Sequence, residues 1–330
     1  MEVYRAKAPL TLMLKGSPSL LLNNLSSRRD FKAFVYVHLD EVVFISIAAT
    51  NVFHKIPATP KTHIYQTAFV EVQGSSFLII TASDGAYIWT ADGTSMLYFL
   101  SLTDIISGRE SELDFQFMRG ITSNQGSVFL GTSLGHILEI VIPNSSGESG
   151  VELVSTICES KTPISCLATL PDMDLLISGN DRGDISGFST CPTLQSKSLF
   201  VWTGSNHPCT ALIARNNFII AGFSSGHIRA YRPSSGELVM ELTAHVRCIT
   251  GMALHPTQNM FVSVAEDQHV CFWSVNNSDL GSASGRGIEL LSAEKLENRL
   301  NTGVCFLGED RVGVVAYDED DVIVLQRGDK

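Results

Sequence analysis

Residues 245–273 read H-V-R-C-I-T-G-M-A-L-H-P-T-Q-N-M-F-V-S-V-A-E-D-Q-H-V-C-F-W. Cys248 to Ala253 and Met260 to Ala265 are apolar, β-rich runs separated by the turn-forming His-Pro-Thr-Gln-Asn, which predicts a hairpin. A third run, His269 to Val275, follows a tight Glu-Asp-Gln turn. Three strands are therefore expected to lie antiparallel side by side.

The same stretch carries four polar residues that such a unit can join. His245 sits at the entry, Ser263 on the second strand, Asp267 in the turn and Trp273 on the third strand. An imidazole between carboxylate and hydroxyl, with the hydroxyl reaching the indole N–H, satisfies four groups that burial otherwise penalises. His, Asp and Ser together also allow a hydrolase triad. Against that reading, Ser263 falls inside a predicted strand, with neither a strained elbow nor an oxyanion loop to present its hydroxyl.

The pattern recurs along the chain. Val264 is followed six positions on by Val270 and nine on by Trp273; Gly131, Gly179 and Gly222 repeat this frame, and Ala316 and Ile80 repeat it more loosely. The markers at 80, 131, 179, 222, 264 and 316 are 51, 48, 43, 42 and 52 residues apart, near the ~40–45 residues of one four-stranded propeller blade. A seventh unit is expected upstream, where A-F-V-Y-V-H and V-V-F-I-S-I-A read as two strands between Phe34 and His54. The expected architecture is all-β: one seven-bladed β-propeller domain over 1–330, with four antiparallel strands per blade. Its blades are placed at 31–64, 65–104, 113–158, 162–203, 207–243, 245–299 and 301–328. Blade seven runs out after three strands, leaving an open edge. The N-terminal residues 1–15, strand-like at T-L-M-L, are expected to supply the missing outer strand and close the ring.

These residues resemble the WD40-repeat family over nearly the whole chain, and the His245, Ser263, Asp267 and Trp273 set resembles its structural tetrad. Elsewhere the tetrad is degenerate. In blade five His207 is a candidate entry histidine but Ser225 stands at the aspartate position; blade two has Trp89 but Ser83 at that position. The resemblance implies a non-enzymatic scaffold that binds other proteins and requires no cofactor or metal. In such propellers the loops from outer to next inner strand, and from second to third strand, share one face. By register Arg119, Asn180, Arg182, Phe223, His227 and Arg247 are expected to project there as partner-binding residues.

Composition bounds the partners. Lys plus Arg is 23 against 34 for Asp plus Glu, a net charge of −11, the wrong sign for a nucleic-acid surface. Its densest basic run, Arg28-Arg29-Asp30-Phe31-Lys32, is short and interrupted by an acid. No apolar run approaches the ~18 residues of a membrane helix, so membrane insertion is not expected. Seven cysteines without paired spacing point to a reducing, cytoplasmic setting, where the sequons at Asn24 and Asn144 would be idle. Self-association stays open. Two other readings are a structural subunit of a cytoskeletal or ciliary assembly, and a propeller enzyme or small-ligand binder using the mouth of the central channel.

Four further features have plainer explanations. His136, His227 and His269 share one repeat register but on different blades, too far apart for one ion. Cys166, Cys209, Cys248 and Cys305 recur in first strands, most simply as small buried side chains. Asp318-Glu319-Asp320-Asp321 lacks the alternation and glycine of a calcium loop. Ser292 to Leu300 suits either a short helix or an outer strand.

Overall fold

The structure is a computed structural model describing residues 4–5, 12–47, 52–103, 117–142, 151–158, 161–191, 198–204, 206–276, 278–280 and 287–328. The regular secondary structure of the described residues is almost wholly β-strand. The strands form seven antiparallel sheets: six of four strands in chain order, and a last one of three, whose outer edge is completed by two short N-terminal strands. The fold class is a seven-bladed β-propeller.

Blade six shows how the sequence dictates a blade. Its strands are Ile249–Leu254, Met260–Ala265, His269–Val275 and Ile288–Lys295. Of the stretch Ser292 to Leu300, which suits helix or strand by sequence, Ser292 to Lys295 completes this outer strand and residues 296–300 form a turn. Alternation sends successive side chains to opposite faces. Met260, Val262, Val264, Val270 and Phe272 pack with Val304, Val312 and Leu325 of blade seven. Phe261, Cys271 and Trp273 pack with Ile220 and Ala230 of blade five. Both faces are covered, so the middle strands read as unbroken apolar runs rather than alternating ones.

By packing, the chain resolves into two compact units. One comprises Met1–Leu39, Val43–Lys55 and Thr210–Lys330; the other comprises Asp40–Val42 and Ile56–Cys209. Within the second, blade three divides its faces as blade six does. Val128, Leu130 and Leu138 join Ile79 and Ile88 of blade two, while Phe129 and Ile137 join Ile164 and Leu176 of blade four.

The six-residue marker spacing has a geometric meaning. Gly131 pairs with Ile137, Gly179 with Ile185, Gly222 with Ile228 and Val264 with Val270, each the last rung before the hairpin turn. In blade two the rung is Thr81 with Ala86, and in blade seven Val315 with Val322. Those turns are one residue shorter and one longer, which is why the frame slips there. Blade one begins earlier than residue 31, because Ser26–Ser27 pairs with Ala33–His38 as its first strand.

At the chain ends, Tyr4–Arg5 and Leu12–Met13 both pair antiparallel with Asp321–Arg327. Leu14 donates its N–H to the Asp320 carbonyl at 2.6 Å and buries its side chain with Val315 and Val322. The N-terminus is therefore the outer strand of the last sheet. Asn24 is buried, its amide donating to the carbonyls of Ser19 and Val37, so that sequon is closed to modification. The sequon at Asn144 lies outside the described residues.

Candidate functional site

The structure brings His245, Ser263, Asp267 and Trp273 into one chain of hydrogen bonds, and the chemistry of each group fixes its direction. An indole N–H only donates, so Ser263 Oγ accepts it at 2.9 Å. That leaves the Ser263 hydroxyl proton for His245 Nε2 at 2.8 Å. His245 Nδ1–H then faces the Asp267 carboxylate, 3.1 Å from each oxygen. The same carboxylate accepts the backbone N–H groups of Val246 at 3.0 Å and His269 at 3.1 Å. Burial pushes the Asp267 carboxyl upward, but the hydrogen bond from His245 and the two backbone donors outweigh it and hold it at about 2. Ser263 is 0% exposed and uses its hydroxyl on both sides. No substrate reaches it, so the triad reading of this serine fails.

What the network does mechanically is pin the segment entering the blade. His245 and Ala244 also donate their N–H groups to the Gly226 carbonyl, at 3.0 and 3.1 Å. Gly226 has φ +81°, and a Cβ there would stand 2.2 Å from the His245 carbonyl oxygen; only glycine permits the approach. Held on both sides, the segment carries Val246 outward to 84% exposure, with Arg247 exposed beside it.

The other five partner-binding candidates divide. Arg182 is exposed, on a turn organised by Asn180. His227 is half-buried, with Nδ1 3.0 Å from Ser225 Oγ. Arg119 is partly buried, its guanidinium 2.7 Å from Asp181. Asn180 and Phe223 do not project. Asn180 is 1% exposed because its Oδ1 accepts the N–H groups of Arg182 and Asp184, while its Nδ2 donates to the Asp184 carboxylate. Phe223 is 1% exposed, under the Arg229 guanidinium at 4.7 Å from the ring centre. Both end buried strands, and a turn's register does not reveal which of its residues fold back. Val246 went unremarked in the sequence; its signal is an aliphatic residue directly after the entry histidine.

In blade two Asp84, not Ser83, is the turn carboxylate, because the hairpin is one residue shorter. It accepts hydroxyls from Thr59 at 2.7 Å, Thr62 at 3.1 Å and Tyr87 at 2.5 Å. Burial, then the Asp84 hydrogen bond, pushes the Tyr87 hydroxyl up to about 12. Hydroxyls thus replace the histidine. Among the described residues Trp89 Nε1 has no acceptor, because Ile80 stands where blade six has Ser263, two residues along from the ladder partner of the tryptophan. His207 of blade five is exposed.

Among the described residues no three His, Cys, Asp or Glu side chains converge as metal ligands. His269 Nδ1 lies 2.9 Å from the Asp267 carbonyl. In the acidic turn, Asp321 and Glu319 face the Arg299 guanidinium. Burial pushes the Cys305 thiol up to about 12; burial, then Glu266, pushes Cys248 up to about 11. A cleft of about 550 Å³ includes Ser27, Arg29, Phe31, Met252 and Glu309 in its lining. Among the described residues no helix is long and apolar enough to cross a membrane.

The comparisons with known proteins agree with this fold. A chain in the crystal structure of the mitotic checkpoint complex superposes with a TM-score of 0.78 at 14% identity, over 99% of this chain and 94% of that one. The WD40 repeats of RRP9 superpose with a TM-score of 0.76, also at 14% identity, over 99% and 100%. WD repeat domain 54 of Rattus norvegicus is 26% identical over 340 residues, covering 95% of this chain and 97% of the relative. WD repeat-containing protein 54 of Mus musculus is 27% identical over 297 residues, covering 82% and 85%. The profile of the family described as WDR54 matches residues 9–297, and this chain belongs to that family.

Proposed function

We propose that this protein is a non-enzymatic interaction scaffold that presents the entry turns of its blades to other proteins in the cytoplasm, its whole chain acting as one propeller domain. The observation that supports this most is Val246. An aliphatic side chain held 84% exposed by a buried network is badly placed for folding and well placed for contact. Arg247 beside it adds a charge-bearing anchor of the kind enriched at interfaces. On blade four the buried Asn180 supports exposed Arg182 in the same manner.

The test is affinity capture under gentle conditions with the native chain, Val246→Asp and Arg247→Glu. Loss of the same bound proteins from both variants, with melting temperature unchanged, supports the reading. Full retention by both overturns this surface.

A further inference from the structure

Cys166 lies in the first strand of blade four, Ile164–Leu170, and Cys209 begins that of blade five, Cys209–Arg215; their sulfurs stand 3.3 Å apart. The Cys166 sulfur is also 3.7 Å from the Cys209 carbonyl. A second feature belongs to the same arrangement. Gly179 is the ladder partner of Cys166, and a Cβ there would come within 2.6 Å of the Cys209 sulfur and 2.8 Å of the Cys166 sulfur. A side chain at 179 would occupy the space in which the two thiols meet. Ordinary buried cysteines need only apolar neighbours; these two face each other in a space that glycine leaves open.

We propose that Cys166 and Cys209 are a modification site, forming a reversible disulfide when the protein meets a peroxide. Cys166 is 6% exposed and Cys209 0%, so Cys166 is the more accessible residue of the two. As thiolate it attacks one peroxide oxygen; the O–O bond breaks, giving a sulfenic acid at Cys166 and water. The Cys209 sulfur then attacks the Cys166 sulfur, the S–O bond breaks, and the oxygen leaves as a second water with the Cys209 proton. Two thiols are oxidised by two electrons and one peroxide is reduced to two waters. A thiol reductant reverses the step by exchange. The bond would tie residues 43 apart in sequence, a loop long enough for cross-linking to restrict the unfolded chain substantially.

The test uses the full chain treated with hydrogen peroxide, quenched with an alkylating agent under denaturing conditions and digested. The expected result is a linked pair of peptides carrying Cys166 and Cys209, two hydrogens lighter than their sum and lost on reduction. The oxidised protein should melt higher by about 5 °C, and Cys166→Ser should show neither the link nor the rise. Recovery of both residues as alkylated thiols, or as separate sulfinic acids, overturns the assignment, as does a rise that persists in Cys166→Ser. The peptide map needs no variant, so a poorly folding substitution leaves the question decidable.

Discussion

The indole N–H of Trp273 donates to Ser263 Oγ at 2.9 Å, joining the third strand of blade six to the second by a side-chain bond inside the sheet. Both residues are buried, at 5% and 0% exposure. Ser263→Ala strands the indole N–H and His245 Nε2 together, a cost of about 1–3 kcal/mol. Trp273→Ala should cost about 3–5 kcal/mol through lost packing on Phe261 as well. Urea unfolding of both variants checks the order; a Ser263→Ala loss equal to that of Trp273→Ala would mean that hydrogen bonding, not packing, dominates.

Acid should act through Asp267. Its folded carboxyl is held at about 2 against an ordinary 3.8. A depressed carboxyl contributes stability that is present above its unfolded value and lost as pH falls through the folded one. Stability worth about 2 kcal/mol should therefore disappear between roughly pH 4 and pH 2. Asp267→Asn should be less stable at neutral pH and lose less over that window. Parallel acid curves for the two proteins would contradict the assignment.

A second pH effect sits nearer neutrality. His255 is buried; its Nε2–H donates to the Glu309 carbonyl at 2.9 Å, and its Nδ1 accepts the N–H groups of Thr257 and Gln258. Burial lowers its pKa from the ordinary 6.5. Below that value the unfolded chain takes up a proton that the folded one resists, so stability should fall as pH drops from about 6.5 toward the folded value. Thermal melts at pH 7.5, 6.5 and 5.5 read this directly, and His255→Gln should flatten the dependence.

The chain ends should be mutually dependent. Deleting residues 1–15 removes the pairing with Asp321–Arg327 and the buried Leu14, exposing a sheet edge. A fall in melting temperature of about 5–10 °C is expected. An unchanged melting temperature would show that the N-terminal pairing contributes nothing.

Asn180→Ala should separate support from contact. It removes the acceptor for the Arg182 and Asp184 N–H groups and should cost about 1–3 kcal/mol. Arg182→Ala should leave stability within about 0.5 kcal/mol. If the two variants lose the same stability, Asn180 is not organising the turn.

Fold and site were legible to different depths. Strand runs, turn residues and the repeat of about 45 residues identify a propeller because each four-stranded unit, apolar on both faces, must be covered by its neighbours. The tetrad was legible for a related reason. His245, Ser263, Asp267 and Trp273 lie within one repeat, and their donors and acceptors have one consistent assignment. Hairpin length was not legible: one residue fewer in blade two makes Asp84 the turn carboxylate, with hydroxyls from Thr59 and Thr62 that precede the blade.

The sequence by itself determined six marked repeats, the expectation of a seventh and the chemistry of blade six, since local periodicity and complementary polar groups survive without coordinates. Only the tertiary structure decided which turn residues face water. Phe223 and Asn180 fold inward, Val246 is pushed out, and Cys166 meets Cys209 from a neighbouring repeat. Exposure and side-chain contact depend on residues some forty positions away, and no reading along one strand contains that distance.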